Sequence, residues 1–214
     1  MKIALIGGTG FVGSALLEEL LRRGHAVTAL ARDPAKLAAR PGLTVVQADA
    51  QQSAQVAQAV EGADAVVSAY NPGWQEPQLH DLFLQGTEAI LEGVKRSGVK
   101  RVLVVGGAGS LYIAPGLQLV DTPEFPPAWK QGALAAREAL NRIRNEPSLD
   151  WTFVSPAVHL TPGERRGSFR LGGDDVLLDA NGQPAGISVA DLAVAIVDEL
   201  ETPRHVRRRF TAAY

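Results

Sequence analysis

Residues 2–13 read Lys2-Ile3-Ala4-Leu5-Ile6-Gly7-Gly8-Thr9-Gly10-Phe11-Val12-Gly13. The apolar run Ile3–Ile6 has the length and continuity of a strand buried on both faces. Gly8, Gly10 and Gly13 then satisfy G-x-G-x-x-G, and an amphipathic stretch carries on to Arg23, where Gly24 stops it. Glycine-rich turns are common, but one lying between a strand and a helix is specific. Glycine permits the tight turn and lets backbone N–H groups approach a pyrophosphate, and the helix N-terminus favours its negative charge. Gly13 lets the helix pack close to the strand. The stretch therefore predicts a dinucleotide held by Gly7, Thr9, Gly10, Phe11, Val12 and Gly13.

Working outward, short apolar runs alternate with amphipathic segments. Strands are expected at His25–Ala31, Leu43–Gln47, Ala63–Ala69, Val99–Gly106 and Asp150–Ser155, and helices at Ser53–Glu61, His80–Ser97 and Pro127–Asn145. Repeated β-α-β units predict an α/β fold, a Rossmann-type doubly wound parallel sheet covered on both faces. The tail differs. Ser168–Leu171 and Val176–Asp179 suggest a hairpin around Gly172-Gly173-Asp174, Ser188 caps a helix to about Glu201, and Val206–Ala212 forms a last strand. The expectation is one domain over 1–214, with about 156–187 forming a loop-and-hairpin cap on the substrate side.

Composition narrows the function classes. The 214 residues are 46% hydrophobic, and 21 Lys+Arg against 23 Asp+Glu leave a net charge of −2. No global field favours nucleic acid or an anionic membrane. The one basic run, Arg204-His205-Val206-Arg207-Arg208-Arg209, suits the solvated face of a late strand. With no cysteine there are no disulfides, thiolate nucleophiles or cysteine-ligated metals. His25, His80, His159 and His205 lie far apart, so no metal is expected. The first strand begins at Lys2 and no apolar run approaches a membrane span, so a cytoplasmic protein is expected. A small-molecule acceptor is the expected partner; monomer and homodimer remain equally open.

The end of the second strand bears on which cofactor binds. An acidic residue there takes a ribose 2′-hydroxyl, whereas arginine accommodates a 2′-phosphate. The sequence is Leu30-Ala31-Arg32-Asp33-Pro34, with Lys36 just beyond. Asp33 before Pro34 reads as a helix N-cap, so Arg32 predicts NADP(H) over NAD(H). The competing reading sets Asp33 on the ribose and leaves Arg32 solvated. Asp49, next to Ala50, either accepts from an adenine amino group or caps the following helix. Ala69-Tyr70-Asn71 follows the fourth strand, at the carboxyl edge where α/β ligands bind.

Gly7-Gly8-Thr9-Gly10-x-x-Gly13, Asp49 and Gly106-Gly107-Ala108-Gly109-Ser110-Leu111 resemble an atypical short-chain dehydrogenase/reductase of the NmrA-like, NAD(P)H-binding kind. Pro162–Asp174, Ile187–Ala193 and the terminal segment are similar to the group assigned as NADH–flavin reductases, and the likeness spans essentially the whole chain. The wider superfamily uses a serine after the fifth strand and a Tyr-x-x-x-Lys pair on the next helix. Ser110 matches the serine, but the helix reads Trp129-Lys130-Gln131-Gly132-Ala133-Leu134 and has no such pair. The resemblance implies a reductase passing hydride from NAD(P)H to a free flavin, with FMN or FAD as substrate. Reducing a flavin ring asks less acid catalysis of the protein than reducing a carbonyl. It also implies that Pro156 and Ala157 line the nicotinamide. Further candidates are Ser110 and His159 for hydrogen bonding or proton donation, Arg165, Arg166 and Arg170 for a flavin phosphate, and Trp74, Tyr112 and Trp129 for stacking. A non-catalytic redox sensor is the alternative, and an isomerase or epimerase, which needs the missing pair, ranks third.

Overall fold

The computed structural model describes residues 1–214. The opening run is β1 (Lys2–Ile6), followed by α1 (Phe11–Arg22), β2 (Ala26–Ala31), β3 (Leu43–Gln47), α2 (Ser53–Val60), β4 (Ala65–Ser68), α3 (Leu79–Ser97) and β5 (Arg101–Val105). A small hairpin, β6 (Tyr112–Ala114) and β7 (Leu117–Gln118), precedes α4 (Pro127–Ile143) and β8 (Asp150–Val154). The tail adds β9 (His159–Thr161), β10 (Arg170–Gly172), β11 (Gly186–Ser188), α5 (Val189–Glu201) and β12 (Arg208–Ala213).

Eight strands form one sheet in the order β10-β12-β8-β5-β4-β1-β2-β3, parallel except for β10. This is the expected doubly wound Rossmann sheet. Its winding reverses between β1 and β4, which opens a crevice at their carboxyl ends. The strands are apolar on both faces because both are covered. Ile3 and Leu5 of β1 join the core beneath α1 and α5, while Ala4 and Ile6 join the core beneath α2, α3 and α4. Local signals set the helix ends. The Ser188 hydroxyl accepts from the Asp191 N–H at 3.0 Å, a cap worth about 1 kcal/mol. Gly98, at φ +81°, closes α3 in the left-handed conformation that side chains resist.

The tail corrects the sequence expectation. Residues 168–171 and 176–179 do not pair with each other; β10 instead pairs antiparallel with β12, Arg170 opposite Ala213. The competing partner is the last strand, which lies parallel beside β8 and leaves its outer edge free. β9 and β11 form a separate parallel pair. The buried carboxylate of Asp191 ties this region together, accepting from the N–H groups of Arg166 and Gly167 and from the Tyr214 hydroxyl at 2.7–3.1 Å.

Candidate functional site

Glycine geometry builds the crevice. Gly7 has φ +83°, and a Cβ there would lie 2.4 Å from the Ala69 carbonyl oxygen. A Cβ on Gly13 would lie 1.9 Å from the Gly7 carbonyl oxygen. These two positions therefore exclude any side chain, and through them the turn locks β1, the end of β4 and α1 together. Gly10 donates to the Gly7 carbonyl at 3.0 Å and leads into α1. No side chain caps this end of α1, and its first turn carries no acidic residue. The free N–H groups of Phe11, Val12 and Gly13 form an anion cradle that fits a pyrophosphate.

Beside the cradle lies a groove of about 240 Å³. It gathers Gly7, Thr9, Gly10, Arg32, Asp49, Ala50, Ala69, Tyr70 and Asn71, all singled out from sequence, along with Asp33 and Lys36. Phe11, Val12 and Gly13 stand at its helix end rather than in its lining. Pro156 and Ala157 are buried after β8, two strands along from β4, and do not line it.

The polar groups of the groove divide into engaged and free. Asp33 Oδ1 accepts from the Ala35 N–H at 3.2 Å and caps the 3-10 turn Pro34–Lys36, the expected N-cap. The Arg32 and Lys36 side chains make no hydrogen bond or ion pair with the rest of the chain. Asp49 Oδ1 accepts from the Gln51 N–H at 2.9 Å, which leaves Oδ2 unengaged in the groove. That bond shapes the loop before α2, whose own N-cap, Gln52, has no side-chain cap. The Tyr70 hydroxyl donates to the Leu82 carbonyl at 3.1 Å and accepts from Gln51 at 2.9 Å. Burial pushes this hydroxyl's pKa up, against the opposing effect of the Gln51 bond. Tyr70 thus supplies a wall and not an acid. Its ring lies where a Cβ on Gly86 would come within 2.3 Å, so the glycine in α3 belongs to the groove's construction.

On the acceptor side several candidates have other tasks. Ser110 is 1% exposed, and its hydroxyl and carbonyl both accept from Arg209 at 2.9 Å. It anchors the β5 turn to β12 and is not open to a substrate. Arg165 is engaged too: its guanidinium binds Glu19 at 3.0 Å on the flank of α1. Arg170 donates to the carbonyls of Tyr214 and Leu178 at 2.6–3.2 Å, holding the tail. The Arg166 guanidinium lies 4.4 Å over the Tyr214 ring. Tyr112 is half-buried in β6, bonded through its backbone to Asp174 and Val176. His159 is exposed at the start of β9, with no hydrogen bond to its ring.

Trp74 and Trp129 remain open, 63% and 57% exposed. Trp74, in the loop after β4, lies against α4, where a Cβ on Gly132 would come 2.7 Å from its ring. Trp129 stands one turn earlier on that helix. The next turn packs beneath the β5 loop, where a Cβ on Gly109 would lie 2.7 Å from the Ala133 Cβ. Sequence reasoning missed the pairing of Trp74 with Gly132 and that of Arg209 with Ser110, since each joins residues distant in the chain.

A reversed parallel sheet with a bare, glycine-lined helix end at its switch point defines a dinucleotide-binding α/β protein. The chain belongs to the NAD(P)H-binding family, whose model matches residues 7–203. It is 38% identical over 214 residues to the uncharacterized protein YwnB of Bacillus subtilis, covering 99% of this chain and 97% of that one. It is similar to a solved Bacteroides thetaiotaomicron structure described as a "putative epimerase", at 47% identity and TM-score 0.92, covering 100% of this chain and 96% of that one. A Streptococcus pneumoniae structure described as a "putative NADH-flavin reductase" matches at 35% identity and TM-score 0.86, covering 100% and 99%. The matched family is NmrA-like. No helix is long and apolar enough to cross a membrane.

Proposed function

We propose that the protein is an NADPH-preferring reductase that passes hydride to a free flavin, such as FMN or FAD, or to a similar planar acceptor. One observation carries the reading. Where α4 would present a tyrosine and a lysine, it presents Trp129, Gly132 and Ala133, with the open Trp74 ring laid against Gly132. This surface offers flat apolar contact and no acid–base pair. Its lack of such a pair argues equally against epimerase chemistry.

The bound cofactor supplies hydride. The chain's part is to hold it: the α1 N-terminus takes the pyrophosphate, Asp49 Oδ2 the adenine amino group, and Arg32 with Lys36 the 2′-phosphate. Charged hydrogen bonds of this kind are worth about 1.5–3 kcal/mol each. A flavin ring spreads incoming charge and takes its proton from water, so the protein has only to align two flat rings. Trp74 and Trp129 are the residues for that alignment. The reaction is expected in the cytoplasm, where reduced cofactor and free flavin are both present.

The test is NADPH oxidation with FMN, FAD, riboflavin and a quinone, alongside binding titrations of NADPH and NADH. Turnover well above the enzyme-free rate, with NADPH bound about tenfold or more tighter than NADH, is expected. Tight binding without turnover on any acceptor overturns the reductase reading in favour of a non-catalytic redox sensor. Tighter NADH binding overturns the cofactor preference.

A further inference from the structure

The basic run Arg204–Arg209 reads in sequence as an alternating, solvated strand face, yet β12 begins only at Arg208. Arg207 is the one non-glycine residue with positive φ, at +56°, a conformation that costs about 1 kcal/mol or more and persists only where its surroundings hold it. Its guanidinium is pinned by the carbonyls of Pro147 at 2.9 Å and Leu149 at 3.2 Å. Arg207, Arg208 and Arg209 then line a single cleft of about 670 Å³, and Arg144, from the end of α4, joins them. The bare turn Gly172-Gly173 closes another side.

The charges in this cleft do not balance. Asp174 accepts from Arg209 and, at 3.2 Å, from Arg144. Asp150 lies 3.6 Å from Arg207. Arg208 has no hydrogen bond or ion pair, and His205 is held by Glu199 at 2.8 Å. Four guanidinium groups thus line a cleft whose one lining carboxylate is Asp174, within a chain of net charge −2. Arg208, the one uncompensated fork, stands beside three further guanidinium groups in an open cleft, an arrangement that suits a group with several acceptor oxygens spread in space, which a phosphate has. Trp151 and Leu171, the apolar residues of the lining, leave room for an organic portion.

We propose that this cleft is a second anion site, separate from the cofactor groove, that binds a small phosphorylated compound. The recess and the negative overall charge favour a small ligand over a nucleic-acid backbone, which would need an extended basic stripe. Arg208 holds the phosphate, Arg144 and Arg207 add positive charge beside it, and Arg209, nearly buried between Ser110 and Asp174, holds the floor.

Calorimetric titration of the full chain with inorganic pyrophosphate, at constant ionic strength, tests this. Arg208→Glu should weaken one binding event at least tenfold, leave NADPH affinity within twofold of wild type and leave the melting temperature unchanged. Arg32→Ala, in the cofactor groove, should preserve that event. Arg208→Gln repeats the measurement if charge reversal perturbs folding. An identical titration for wild type and both Arg208 variants overturns the site, as does loss of every binding event in Arg32→Ala. Tighter binding of a single-stranded oligonucleotide than of pyrophosphate, lost in Arg208→Glu, overturns the assignment to a small ligand.

Discussion

Two sets of arginines occupy this molecule on different terms. On the rim of the cofactor groove Arg32, with Lys36 beside it, meets no carboxylate of its own chain. On the tail side Arg165, Arg170 and Arg209 are each committed: to Glu19, to the Tyr214 and Leu178 carbonyls, and to Ser110 with Asp174. From sequence Arg32, Arg165 and Arg170 all read as candidates for a ligand phosphate, and Arg209 as part of a solvated strand face. What separates them is which acceptor the fold brings opposite each guanidinium, and an arginine already holding one is costly to recruit.

The comparison can be broken at its strongest point by closing the bare end of α1. Gly13→Val drives a side chain into the Gly7 carbonyl and should cut cofactor affinity by about 100-fold or more, read by NADPH titration with circular dichroism to confirm the fold.

On the committed side, Glu19 gives a test through pH. Burial alone would raise its pKa, but hydrogen bonds from Arg22, Arg165 and Arg23 outweigh that and hold it at about 2. Its folded pKa lies below the unfolded 4.5. The stabilisation is therefore complete above about 4.5 and fades as pH falls toward 2. Glu19→Gln should lose about 2–3 kcal/mol at neutral pH, with the gap to wild type narrowing over that window in denaturant melts.

Arg32→Ala sharpens the contrast on the free side. NADPH affinity should fall roughly tenfold, about 1.5 kcal/mol, while NADH affinity changes little and the melting temperature holds. Equal losses for both cofactors would mean that Arg32 does not read the 2′-phosphate. Ser110→Ala should cost about 1 kcal/mol of stability, by loosening Arg209, and leave flavin turnover within twofold of wild type. A hundredfold loss of turnover would restore a catalytic serine. The smallest effect belongs to Ser155, whose buried hydroxyl has no partner. Ser155→Ala should be neutral or raise stability by up to about 1 kcal/mol in the same melts.

The legible part of the molecule is the part built from neighbours in sequence. Strand, glycine turn and helix follow one another within residues 2–22, and the Asp33-Pro34 and Ser188 caps act within three residues of themselves. Their physics is local, so they could be read directly. The groove members Asp49, Tyr70 and Asn71 were legible as well, because the doubly wound topology puts strand ends on one edge. The tail was not. Whether Arg170 begins a hairpin with residues 176–179 or an edge strand on β12 depends on which partner strand has a free edge, and local propensity is the same in both. The engagement of Ser110 was hidden for the same reason: nothing near it in sequence announces that Arg209, 99 residues on, donates to its hydroxyl.

The contact between Arg165 and Glu19 spans 146 residues, and α5 covers α1 from further along still. Loop closure over such a distance has to be met before those contacts contribute. During synthesis β1, β4 and α1, with the glycine turn that locks them, emerge long before the chain that shields the outer flank of α1. For that interval Glu19 is a carboxylate partnered only by its own helix, and the apolar stripe beside it faces solvent. The half that meets the cofactor is thus synthesised before the half that seals the core, and a chain cut short between the two lacks the cover for the flank of α1.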